Sequence, residues 1–177
     1  MLIAKQKRNE NIIEYILYMW QLEDFIRACN FNFEHVVAQR NLTDHAHYEE
    51  RQWFQAFLSA MKHEGIEQSG HLMQLKELVQ DLSAFNIALL QNPEEVQYKE
   101  AFNAAMPHIA TIIEKSNNTL KNEIDACITA VYGLLLLRLK KQKISEESEE
   151  AFKTITHLLA FLAFKYKKYE SGELHIN

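Results

Sequence analysis

The segment Ala126–Leu139, ACITAVYGLLLLRL, is apolar around a helical wheel except at Thr129, Gly133 and Arg138. A helix that is apolar all round belongs inside a protein, covered by other helices. At 100° per residue, Ile124, Ile128, Val131, Tyr132, Leu135 and Leu139 share one face. Ala126, Ala130, Gly133 and Leu137 make a smaller-sided second face, where another helix is expected to approach closely. Arg138 falls on the flank of the first face and requires a carboxylate, with Glu23 and Glu50 as candidates. The segment therefore predicts an all-α protein built around a central helix running from about Leu120 to Lys143.

The rest of the chain has the composition to cover it. Gly occurs 4 times and Pro 2 times in 177 residues, and scarcity of both favours long helices over many short turns. A chain of this length buries roughly 70% of its unfolded surface and needs no disulfide or metal to fold. The expected organisation is a single domain, residues 1–177, folded as an irregular bundle of six or seven helices. Asn9–Asn30 reads as the first helix, followed by a short one capped by Asn32 and one from Thr43 or Asp44 to Glu64, closed by Gly65. Ser69–Gln91 is the next. Asn92 and Pro93 then give a helix start, and the pattern Tyr98, Phe102, Met106, Ile109, Ile113 runs through Pro107, predicting a kink or a break there. Asn117 and Asn118 separate this segment from the central helix. Ser145 caps the last helix, Gly172 stops it and Leu174 folds back.

Polar residues on apolar faces mark the candidate site. Glu23 lies in the apolar stripe of the first helix, with Arg27 beside it and Trp20 adjacent. The two charges are spaced i, i+4 with the acid first, the favourable order for an intrahelical pair. Glu50 interrupts the Trp53/Phe54/Phe57 face, and His47 stands one turn earlier. A buried charge needs a partner, because the desolvation penalty is several kcal/mol per ion in rough terms. The residues Glu23, Arg27, His47 and Glu50, with Trp20 and Arg138, then form either an internal ion-pair network or a polar pocket holding an anionic ligand. His71 and Asn86 read as satisfied polar core residues. His157, Phe161 and Phe164 form a flank of the last helix that reads either as ordinary exposed aromatics or as a homodimer seam.

Other classes of function are disfavoured. The net charge of −5, with acids and bases interspersed, argues against nonspecific nucleic-acid binding. The longest apolar run is too short to span a bilayer, and no signal peptide is recognisable. Cys29 and Cys127 read as buried free thiols in a reducing compartment, which points to the cytoplasm. No Glu-x-x-His occurs, Asp44-x-x-His47 being the nearest approach, so neither a metal nor another cofactor is expected. No phosphate loop, nucleophile elbow or zinc helix is found. The first functional reading is a noncatalytic cytoplasmic helical protein acting through protein–protein contacts or self-association. The alternative is a small-molecule-binding or enzymatic bundle, its ligand unidentified, with a pocket made by Glu23, Arg27, His47 and Glu50.

Four segments carry a family resemblance. EYILYMWQLEDFIR at Glu14–Arg27, the tripeptide Gly70–Leu72, AVYGLLLLRLKKQKIS at Ala130–Ser145 and KYKKYESGEL at Lys165–Leu174 resemble the bacterial domain-of-unknown-function family numbered 4924. The resemblance extends over nearly the whole chain and implies a compact helical protein of Bacteroidetes-type bacteria. It brings no activity, substrate or catalytic residue with it.

Overall fold

Asn11 divides the N-terminal segment into two helices. In this computed structural model, which describes residues 2–44, 47–116, 119–120 and 122–176, α1 spans Leu2–Glu10 and α2 spans Ile12–Ala28. The Asn11 side-chain oxygen accepts the Ile13 N–H at 3.0 Å, a local bond that offers the backbone an alternative to continuous helix. The helix expected over Asn9–Asn30 is thus α2, starting at Ile12, and α1 is an additional helix before it. Beyond them lie α3 (Phe33–Gln39), α4 (Tyr48–His63), α5 (Met73–Gln91), α6 (Val96–Lys115), α7 (Glu123–Leu139) and α8 (Glu146–Glu170). The protein is all-α, with eight helices rather than six or seven and no strand among the described residues.

The caps explain most boundaries. Asn32, Asn122 and Ser145 each accept a backbone N–H three residues on, starting α3, α7 and α8, as N-cap side chains do. Gly65 and Gly172 take positive φ after α4 and α8, and Leu174 folds back to bond the Lys168 carbonyl. Besides α2, four helices start later than expected, the central one, α7, spanning Glu123–Leu139 rather than about Leu120 to Lys143. α4 begins at Tyr48, because the Asp44 carbonyl accepts the His47 N–H in a turn. α5 begins at Met73 rather than Ser69, after Gly70 at φ +93°. α6 begins at Val96, because Asn92 closes a turn on Glu94 and Glu95. α6 runs unbroken through Pro107, so the break considered there does not occur. The Asn117–Asn118 separator lies outside the described residues.

The helices group into two compact units. Met1–Glu10 and Glu14–Glu77 form the first; Asn11–Ile13 and Leu78–Asn177 form the second. Buried in the first are Ile16, Met19, Ile26, Val36, Phe54 and Met61, and α3 packs on α4. In the second, α6, α7 and α8 pack on one another, burying Tyr98, Ile109, Ile124, Ile128, Leu158 and Leu162.

α7 is enclosed only in part. Ile124, Ala126, Cys127 and Ile128 are fully buried, whereas Leu137 is 36% and Leu139 69% exposed. Leu135 and Leu136 are half-buried. A Cβ at Gly133 would meet nothing within 4 Å, so the close helix approach expected on that face is absent there. The apolar wheel of this segment is satisfied at its N-terminal end and left in solvent at its C-terminal end.

Candidate functional site

The polar residues of α2 converge on the segment 66–72, between α4 and α5. Trp20, Glu23 and Arg27 recur at i, i+3 and i+7, which places them along one side of a helix. The Glu23 carboxyl group is fully buried. Its Oε1 accepts the Leu72 N–H at 2.9 Å, and its Oε2 lies 2.5 Å from His71 Nδ1. Trp20 stacks on the His71 ring, with centroids 4.0 Å apart and planes at 13°. Arg27 Nε and one terminal nitrogen donate to the Ile66 carbonyl at 3.3 and 3.2 Å. That same nitrogen also donates to the Gly70 carbonyl, and the other bonds Asp24 at 2.8 Å.

This arrangement explains the late start of α5. The first N–H groups of a helix have no partner within it. Leu72, the residue before α5, has no side chain that can cap. Glu23 supplies the acceptor from α2 instead, and Glu64 at the end of α4 accepts the Met73 N–H at 2.7 Å. Negative groups at a helix N-terminus are also favoured by the helix dipole. Glu23 and Arg27 thus do not pair with each other as the i, i+4 spacing suggested. One holds N–H groups of the segment and the other its carbonyls.

The remaining candidates lie elsewhere. His47 is the half-buried residue preceding α4 and makes no side-chain cap bond. Glu50 acts on the Tyr18 phenol: burial pushes that phenol up, Arg40 pulls it down, and Glu50 pushes it up. The contacts described for Glu23 and Arg27 run to Asp24, Ile66, Gly70, His71 and Leu72, and include neither His47 nor Glu50. Arg138 is 62% exposed and stands 3.9 Å from Glu149. Glu149 takes the place expected for Glu23 or Glu50 because Arg138 sits at the uncovered end of α7. With Glu146, Glu150 and Lys153 it lines an open groove of about 490 Å³.

On α8, Phe161 packs edge-on against Tyr98 at 5.7 Å, and Lys165 lies over it. His157 is exposed. Phe164 is 53% exposed, with the Lys168 ammonium 4.8 Å from its ring centre. The stripe of His157, Phe161 and Phe164 is thus divided, its middle member turned onto α6.

Sequence reasoning treated two further polar contacts as unconnected residues. Lys165 Nζ meets the nearly buried Glu95 at 2.7 and 2.8 Å. Tyr98 donates its hydroxyl to Asn86 at 2.6 Å in the core. The lone signal for the first was an acid placed just before α6. For the second, Asn86 on an apolar face of α5 was the cue.

Among the described residues, no group of three or more metal-ligating side chains occurs, and no helix is long and apolar enough to cross a membrane. Neither the curated proteins nor the solved structures give a match. The family model of DUF4924, a domain of unknown function, matches residues 1–173, and the chain belongs to that family.

Proposed function

We propose that this chain is a noncatalytic cytoplasmic protein that works by self-association, with the C-terminal half of α7 as the contact surface. The carrying observation is the leucine run: its first member, Leu134, is buried, while Leu137 and Leu139 stand in solvent. A second copy laying the same leucines against these would close a self-complementary, two-fold interface. Two other features support a role in contacts. The hydrogen-bonding groups of Glu23 and Arg27 are engaged by the chain's own 66–72 segment, and both cysteines are buried free thiols, which suits a reducing compartment.

Light scattering on a sizing column tests this reading. Wild type is expected as a dimer, and Leu137→Gln/Leu139→Lys as a monomer with an unchanged far-ultraviolet circular dichroism spectrum. A wild type that stays monomeric at high concentration overturns it. A dimer that survives this pair but is lost in Phe164→Lys moves the seam to α8.

A further inference from the structure

The Glu23–His71 pair does more than the capping of α5 requires. Capping needs an acceptor for the Leu72 N–H, which Glu23 Oε1 provides. The second carboxyl oxygen is spent on an imidazole at 2.5 Å, and that imidazole is held flat against Trp20. The His71 side chain is 30% exposed. Its Nδ1 edge faces a carboxyl group that no solvent reaches, and one ring face lies under the indole. The exposed part is therefore the other ring face and the far edge, which carries Nε2; Nε2 is not among the buried side-chain nitrogens that lack a partner. With the carboxylate as acceptor, Nδ1 is the donating nitrogen, and in the neutral ring the lone pair then lies on Nε2. A buried acid thus fixes the tautomer and orientation of an imidazole whose second nitrogen faces solvent, the relation by which a third group prepares a histidine for nucleophilic or base chemistry.

We propose that His71 is a phosphoryl-accepting site, taking the phosphoryl group of an N-phosphorylated donor on Nε2. The Nε2 lone pair attacks phosphorus, the Nε2–P bond forms and the donor N–P bond breaks. The donor nitrogen, already an ammonium on phosphorus, takes the bond's electron pair and leaves as the neutral amine. The ring becomes an imidazolium that keeps its Nδ1 proton toward Glu23, whose carboxylate compensates the new positive charge. The cation on this segment is Arg27, bonded to the carbonyl just before His71; the Leu72 and Met73 N–H groups at the start of α5 are already taken by Glu23 and Glu64. No enclosed cavity is needed, because the reacting nitrogen is at the surface and the donor brings its own leaving group. The site is independent of the proposed self-association surface, which lies on α7.

The probe is potassium phosphoramidate, read by intact mass and by peptide mapping under alkaline conditions. The expected result is one acid-labile addition of a phosphoryl group on His71, formed at least ten-fold faster than on any other histidine. Glu23→Gln, if folded by circular dichroism, is expected to lose at least ten-fold of that rate, and His71→Asn all of it. A second measurement needs no variant: the rate at His71 in the folded chain is compared with that in the urea-unfolded chain. Folding is expected to raise it. Equal labelling across the histidines, an inert His71, or a rate that rises on unfolding would overturn the proposal.

Discussion

Glu23 and Arg27, one turn apart on α2, hold opposite poles of one segment: Glu23 takes the Leu72 N–H, and Arg27 donates to the Ile66 and Gly70 carbonyls. Because the guanidinium is not the carboxyl group's partner, its removal does not strand a buried charge. Arg27→Met is expected to cost about 1–2 kcal/mol in urea denaturation, the scale of a few part-exposed hydrogen bonds. Amide exchange in residues 66–72 should quicken at the same time. A loss of about 3–5 kcal/mol, the scale of an orphaned buried ion, would show that Arg27 does neutralise Glu23.

Glu23→Ala should be the costlier change. It removes the acceptor of a buried N–H and the group that fixes His71, and an unsatisfied buried donor alone costs about 1–3 kcal/mol. A loss of about 3 kcal/mol is expected. Glu64→Ala, which removes the exposed acceptor at Met73, serves as the control and should cost less than about 1 kcal/mol. Similar losses for both would mean that Glu23 contributes only as a cap.

The sequence wheel identified what one helix can know about itself. The apolar faces of α4 and α6 were legible, as were Glu23 and Arg27 as intrusions, because each rests on spacing within a single segment. What the intrusions touch was not. Glu23 reaches a residue 49 positions later, and nothing local marks that partner. The start of α5 was misplaced for the same reason, since its cap comes from α2 rather than from Ser69. Glu95 stands just before α6, and its partner is Lys165, 70 positions on. α7 shows the remaining limit. A wheel reports which residues want cover, and only the lengths and placement of the neighbouring helices decide that Ile128 receives it and Leu139 does not.

Lys165 and Glu95 form the second unit's shielded ion pair, with side chains 19% and 7% exposed. Lys165→Met leaves the nearly buried Glu95 carboxyl group without its cation. The expected loss in urea denaturation is about 3 kcal/mol, near the low end for breaking a buried pair because Lys165 is not fully enclosed. Adding Glu95→Leu should restore most of it, since replacing both partners removes the orphaned charge. If the double variant is no more stable than Lys165→Met, the pair's contribution lies in packing of the lysine stem.

Asn86 and Tyr98 offer a neutral comparison within the same unit. Both are buried, and the phenol donates to the amide oxygen at 2.6 Å. Tyr98→Phe keeps the ring and removes only the donor, so it isolates the hydrogen bond. A loss of about 1–2 kcal/mol is expected, for a buried amide oxygen left without that donor. A loss below about 0.5 kcal/mol would mean that another donor or water replaces the hydroxyl.

Cys127 gives the fold a dependence on alkaline pH. Burial, and secondarily the charge of Glu123, pushes its thiol up to about 12, from 9.0 when unperturbed. Between those values the unfolded chain releases the proton and the folded chain keeps it. The folded state therefore binds more protons, and stability falls as pH rises from about 9 toward 12. The slope from this one group approaches about 1.4 kcal/mol per pH unit. Tyr98 and Cys29, also pushed up by burial, act with the same sign, the tyrosine only above about pH 10. Cys127→Ala is therefore expected to remove part of the loss and to leave a shallower slope between pH 9 and 10. Urea titrations at pH 8, 9 and 10 measure this as a difference of slopes, which any constant cost of the smaller side chain does not alter. Equal slopes in wild type and variant would mean that the thiol ionises in the folded protein as it does in water.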